Sequence, residues 1–156
     1  MILVSACLLG ENCRYDGSNA LQEELSILLE GREIKMICPE VAGGLGIPRP
    51  PAEISGGDGH DVLRRRAEVI SEDGARLTDF FVSGAKEVLK GLDFEDIEFA
   101  ILKARSPSCG KGEIYNGSFN GELRKGPGVT AAYLQDKGIE VFSEEEIDKI
   151  RIKLRE

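Results

Sequence analysis

Ile2-Leu3-Val4-Ser5-Ala6-Cys7 opens the chain with an apolar run that stops on a cysteine. A short run of this kind, followed by Leu8-Leu9-Gly10, reads as a strand buried on both faces. The arrangement recurs. Glu33-Ile34-Lys35-Met36-Ile37 runs straight into Cys38, and Glu98-Phe99-Ala100-Ile101-Leu102-Lys103 is followed, a few residues on, by Cys109. Between and after these runs the apolar spacing is helical. Leu21 to Leu29 has apolar residues at 21, 25, 28 and 29 with Gly31 as a stop. Leu77 to Leu89 carries Leu77, Phe81, Ala85, Val88 and Leu89 on one face, with Thr78 or Asp79 near its start. Val129 to Lys137 ends at Gly138. Ile139 to Phe142 reads as a further strand, and Ser143-Glu144-Glu145-Glu146 as a capping box opening a last helix to about Leu154.

Strands that alternate with helices predict an α/β fold of three layers, with a mostly parallel, Rossmann-like sheet. Two stretches escape both periodicities. Pro39 to about Gly59 is rich in glycine and proline, too long for a passive connection, and is read as a structured site loop; Ser106 to Gly128 reads as a second Gly-rich loop. The second contains the turn signals Asn116-Gly117 and Asn120-Gly121. Ala67 to Ile70 with Glu72-Asp73-Gly74 reads as a small strand and turn. With 156 residues, no internal repeat and no low-complexity tail, residues 1–156 are expected to form one domain.

Charge and composition narrow the function. Lys plus Arg is 20 and Asp plus Glu is 28, a net charge of −8. Affinity for nucleic acid comes mostly from cations on phosphates, so this balance argues against a large nucleic-acid partner. It leaves room for a local basic pocket, and Arg14, Arg49, Lys103, Arg105 and Lys111 all fall in or beside the odd loops. No apolar run approaches the roughly 20 residues that span a bilayer, and the first residues lack the basic start of a signal peptide. A cytoplasmic protein without a membrane partner is expected.

The four cysteines contain no CxxC pair, which removes the main support for zinc-ribbon or thioredoxin readings. Three of them follow strands. In a parallel sheet the C-terminal strand ends share one edge, where open α/β folds bind ligands. Cys7, Cys38 and Cys109 are therefore expected to meet there, and three thiolates suit zinc or an iron–sulfur cluster. Ligands from distant loops in a substrate crevice favour a cluster with one open iron over a structural zinc. Cys13, in the same loop as Cys7, is an additional candidate. His60 is expected to be an exposed loop residue. Glu40 beside the thiolate of Cys38-Pro39 is a candidate general base. Ser106 and Ser108 bring hydroxyls next to Cys109, and the stiff Pro48-Arg49-Pro50-Pro51 segment aims Arg49 at an anion or carbonyl.

Taken together, Ser5-Ala6-Cys7-Leu8-Leu9-Gly10, Cys13-Arg14-Tyr15-Asp16-Gly17, Cys38-Pro39-Glu40-Val41 with Gly43-Gly44-Leu45, Pro48 to Ile54, and Leu102-Lys103 through Ser106-Pro107-Ser108-Cys109-Gly110 resemble the family long called DUF523, now associated with thiouracil desulfidases. The resemblance spans nearly the whole chain, with no departure at the cysteines. It implies a [4Fe–4S] cluster held by Cys7, Cys38 and Cys109 with its fourth iron open, and catalytic or substrate-positioning roles for Glu40 and Ser106. The implied reaction turns a thiocarbonyl into a carbonyl and releases sulfide, on a thiolated nucleobase, a mononucleotide or tRNA. Zinc or an empty site is expected in material handled in air. Two other readings stay open: a metal- or cluster-binding sensor without turnover, and a sulfurtransferase carrying a persulfide on Cys13.

Overall fold

The computed structural model describes residues 1–156. The central sheet has four parallel strands: β1 (Ile2–Ser5), β2 (Ile34–Ile37), β5 (Phe99–Leu102) and β8 (Val141–Ser143), in the order β2-β1-β5-β8. Alternation along each strand builds the two other layers. Leu3, Ala100, Leu102 and Val141 point one way, onto Ala131 and Leu134 of α5 (Val129–Asp136) and onto Val88 and Leu89, just past the end of α4 (Thr78–Glu87). Ile2, Val4, Phe99, Ile101 and Phe142 point the other way, onto α1 (Glu23–Leu28) and α6 (Ile147–Leu154), where they meet Leu25, Leu29, Ile150 and Leu154. The three-layer α/β reading therefore describes the fold. The chain steps from β1 to β2 on one side and later returns to place β5 on the other side of β1, so the crevice at the C-terminal ends of β1 and β5 is the switch point of this sheet.

The two loop-like stretches are more ordered than their composition announces. The first contains α2 (Pro39–Ala42) and β3 (Ala52–Ser55), and runs on into α3 (Gly59–Leu63). β3 pairs antiparallel with β4 (Glu68–Ser71) in a separate two-stranded sheet. A third apolar cluster lies under this ribbon, with Ile54, Val62, Val69 and Phe81 at its centre. The second stretch folds into the antiparallel hairpin β6 (Glu113–Tyr115) and β7 (Leu123–Lys125). A four-residue helix and three-residue strands are too short to show a period, which is why periodicity passes over them. Each still had a local cue. Pro39 stands at the first position of α2, and Asp58 caps α3 in a reciprocal capping box with Asp61. The capping contacts expected at Ser143 are present: Glu146 accepts from the Ser143 N–H and the Ser143 hydroxyl accepts from the Glu145 N–H. The regular helix begins only at Ile147, because Glu146 at ψ 40° is not helical.

One close contact positions the site. α2 crosses α4 where Gly43 faces Phe80 and Gly84 faces Pro39. A Cβ on Gly84 would sit 1.9 Å from the Pro39 carbonyl oxygen, and one on Gly43 2.0 Å from that of Phe80. The backbones touch because neither residue has a side chain. Gly84→Ala is expected to destabilise the protein by about 1–3 kcal/mol, the usual effect of overpacking, despite alanine's better helix propensity. It also pushes α2, which carries Glu40, away from the sheet edge. Denaturant titration checks the first effect and sulfide-release kinetics the second; a variant as stable as wild type would show that the helices separate without cost.

A cysteine-lined cavity at the sheet edge

A cavity of about 560 Å³ opens at the C-terminal edge of the sheet. Cys7, at the end of β1, lies in a short 3-10 turn (Ala6–Leu9). Cys38 follows β2 as the N-cap of α2, Cys109 follows β5, and Cys13 comes from the loop beyond Cys7. All four line the cavity and all four are free thiols. Cys7 and Cys109 are buried, while Cys13 and Cys38 are half-buried. The fourth cysteine is closely engaged: the Cys38 thiol donates to the backbone carbonyl of Cys13 at 3.8 Å. The Cys13 thiol nearby and burial push the Cys38 thiol well above its ordinary range. Burial pushes Cys109 up to about 11, against hydrogen bonds from Ser5 and Ser108 that act the other way. Thiols of this kind release protons when they take up a metal group, so loading is proton-coupled.

A polar chain runs from the cysteines across the cavity wall. The Ser106 hydroxyl oxygen accepts from the backbone N–H groups of Ser108 (3.2 Å) and Cys109 (3.1 Å). With its two lone pairs so engaged, its proton points to the Ser108 hydroxyl 3.0 Å away. Ser108, 2% exposed, donates in turn to Glu40 Oε2 at 3.1 Å and stands 3.5 Å from Cys109 Sγ. The charged carboxylate is the stronger acceptor of the two. The other carboxylate oxygen, Glu40 Oε1, accepts from Arg49 Nε at 3.1 Å. The Arg49 side chain is only 7% exposed and also donates to the carbonyls of Cys13 (2.8 Å) and Gly46 (3.1 Å).

The candidates thus fall in one place. Cys7, Cys13, Cys38, Cys109, Glu40, Arg49, Ser106 and Ser108 all line the same cavity. Arg49 differs from its expected use: it holds Glu40 and the Cys13 loop rather than awaiting an anion. Lys103 and Arg105 are also committed, to Glu144 (3.0 Å) and Glu145 (2.7 Å). Among these basic residues only Arg14 makes no ion pair. His60 is part-buried beside Asp136 (Nδ1 to Oδ1 3.4 Å) instead of exposed, and lies outside the cavity. Sequence reasoning passed over Ser5, Tyr115 and Phe119 as cavity residues. Glu53, whose place with Glu40 and Arg49 among prolines and glycines marks a site loop, lines the cavity too. For the aromatic pair the two turn signals marked a hairpin but not what it faces.

The cysteines border one cavity, and a set of thiols is the donor chemistry of a soft metal group such as an iron–sulfur cluster.

The sheet edge and its side chains define a class, the α/β proteins with a cysteine-lined cavity at a switch-point crevice. Residues 2–146 match the family model for 2-thiouracil desulfurase, and the chain belongs to that family. It is 45% identical over 150 residues to the uncharacterized protein YbbK of Bacillus subtilis, covering 96% of this chain and 99% of the relative. It also matches a solved structure of TudS, a [4Fe-4S]-dependent thiouracil desulfidase and DUF523 protein. The match has 44% identity and a TM-score of 0.83, and covers 99% of this chain and 97% of the other. No helix is long and apolar enough to cross a membrane.

Proposed function

We propose that this protein hydrolytically removes sulfur from a thiolated uracil or its mononucleotide, with a [4Fe–4S] cluster held by Cys7, Cys38 and Cys109. The observation that carries this reading is the Ser106–Ser108–Glu40–Arg49 chain beside three strand-end cysteines in one cavity. When bound, the cluster supplies an open, Lewis-acidic iron with affinity for the substrate's sulfur. Everything else falls to side chains. Glu40 Oε2 takes a proton from the attacking water and returns it to the leaving sulfur. Arg49 fixes the carboxylate, and Ser108 carries protons between Glu40 and the Ser106 side of the pocket. Water adds at the thiocarbonyl carbon, the C=S bond is lost, a C=O bond forms and hydrogen sulfide leaves. No net electron is transferred.

The test is sulfide release from 2-thiouracil, with uracil as coproduct, by protein purified and reconstituted without oxygen. A folded, iron-loaded protein that gives neither product rules the reading out. Cavity size and charge bear on the substrate. A volume of about 560 Å³ suits a base or nucleotide. One unpaired arginine offers a contact for a single phosphate, not a track for RNA. Arg14→Ala is expected to raise KM for a thiouridine monophosphate about ten-fold or more, since a charge-assisted hydrogen bond contributes about 1.5–3 kcal/mol, and to leave KM for free thiouracil nearly unchanged. Thiolated tRNA is expected to turn over more slowly than either; faster turnover with a steep salt dependence would reverse the assignment.

A further inference from the structure

The β6–β7 hairpin carries an unusual residue. Phe119 has φ +55°, a region that bulky side chains adopt only when the surroundings force them. Three non-glycine residues in the chain have positive φ, and two of them, Arg105 and Phe119, line the cavity. The Phe119 ring belongs to none of the three apolar clusters, so core packing does not account for it. Tyr115 on the same hairpin also lines the cavity and also stands outside the clusters.

Glu53 on β3 accounts for how the hairpin is held. Its Oε1 accepts from the backbone N–H groups of Gly117 (2.9 Å) and Phe119 (3.2 Å). The carboxylate makes no ion pair, although it lines a cavity that contains Arg14 and Arg105. Two successive odd-numbered N–H groups converging on one oxygen form the kind of nest that binds an anion, here supplied by the protein itself. Inside the hairpin, Asn116 Oδ1 accepts from Ser118 N–H (3.0 Å), Asn120 Oδ1 accepts from Glu122 N–H (3.1 Å), and the Asn116 N–H reaches the Glu122 carbonyl (3.0 Å). The turn is therefore built to hold one conformation, with Glu53 as its tie to the rest of the protein.

We propose that Phe119 is a substrate-specificity residue that stacks on the pyrimidine ring, and that Glu53 is the positioning residue that holds it there through the backbone of the Gly117–Phe119 turn. This rests on the reading of the substrate as a thiolated pyrimidine. Every such base has a planar π face, while the cysteine and Glu40 side of the cavity addresses only its sulfur and reacting carbon. An aromatic wall supplies the recognition that those groups lack, and alanine at a stacking position weakens binding by roughly 5- to 150-fold.

The experiment combines binding and kinetics on the iron-loaded holoprotein. Binding of 2-thiouracil is measured by titration calorimetry, turnover by sulfide release, and turn order by hydrogen exchange at the Gly117 and Phe119 amides. Phe119→Ala is expected to weaken binding about ten-fold or more, with most of the kinetic loss on KM, and Phe119→Tyr to restore it. Glu53→Ala is expected to speed exchange at both amides and to weaken binding, whereas Glu53→Gln, which keeps an acceptor oxygen, restores most of both. Unchanged binding in Phe119→Ala, or Phe119→Leu binding as well as wild type, overturns the stacking role. Unchanged amide exchange in Glu53→Ala overturns the positioning role. Wild-type protein that binds 2-thiouracil without releasing sulfide would overturn the desulfidase reading and leave the wall standing.

Discussion

Serine in place of Cys7, Cys38 or Cys109 is expected to remove iron, acid-labile sulfide and desulfuration together. Each of these cysteines follows a different strand of the sheet, so each reaches the cavity from its own segment of the chain. A hydroxyl is a poor donor to a soft iron–sulfur group, and loss of one of three ligands leaves too few to hold it. Cys13→Ser separates the three-cysteine assignment from a four-cysteine one. Cys13 lines the same cavity and its carbonyl accepts from the Cys38 thiol, so proximity alone does not exclude it. The assignment made here expects Cys13→Ser to keep its iron; equal loss in all four variants would make Cys13 a ligand. Iron and sulfide analysis of anaerobically reconstituted protein, with circular dichroism to confirm folding, reads the result directly.

Glu40→Gln is expected to keep the iron and lose turnover by about 10²–10⁴-fold, the usual contribution of a general acid–base group. The geometry explains why so small a change matters. Glutamine matches glutamate in size, and its amide oxygen can still accept from Arg49 Nε, so α2 and the Pro48–Pro51 segment keep their places. Where Oε2 accepts from Ser108 at 3.1 Å, the amide presents N–H groups instead. The Ser108 hydroxyl loses its acceptor and the proton path from Ser106 has no terminus. Single-turnover sulfide release and iron content, measured on the same preparation, distinguish this from ligand loss. Full activity in the glutamine variant would remove Glu40 from the mechanism.

These two expectations draw on different kinds of information in the chain. The strands that lead to Cys7, Cys38 and Cys109 are legible because a strand buried on both faces needs an uninterrupted apolar run, and a cysteine stands where the run stops or a few residues beyond it. The helices Thr78–Glu87 and Val129–Asp136 are legible because one face must be apolar at a spacing of 3.6 residues. Parallel pairing then follows from the alternation of strand and helix, and convergence of the three cysteines from parallel pairing. Each inference needs only local periodicity and one rule of chain geometry. Glu40 and Ser106 were reachable in the same way, by their nearness to those cysteines, and by family resemblance.

What the periodicity does not contain are contacts made between segments far apart in sequence by groups without a repeating pattern. Arg49 reads as a stiff loop cation, yet its partners are a carboxylate nine residues away and a carbonyl 36 residues away, and it is their convergence that buries it. Ser108 meets Glu40 across 68 residues, and Glu53 meets the Gly117–Phe119 turn across 64 and 66. A hydrogen bond depends on distances of about 3 Å and on angle, and neither is set until helices and strands have packed. By itself the sequence determined the sheet, its order of helices and the edge at which three thiols gather. Only the tertiary structure decided which carboxylate is held by which cation, where a serine proton points, and which aromatic ring faces the cavity, because those are settled by packing at sub-ångström tolerance rather than by apolar pattern.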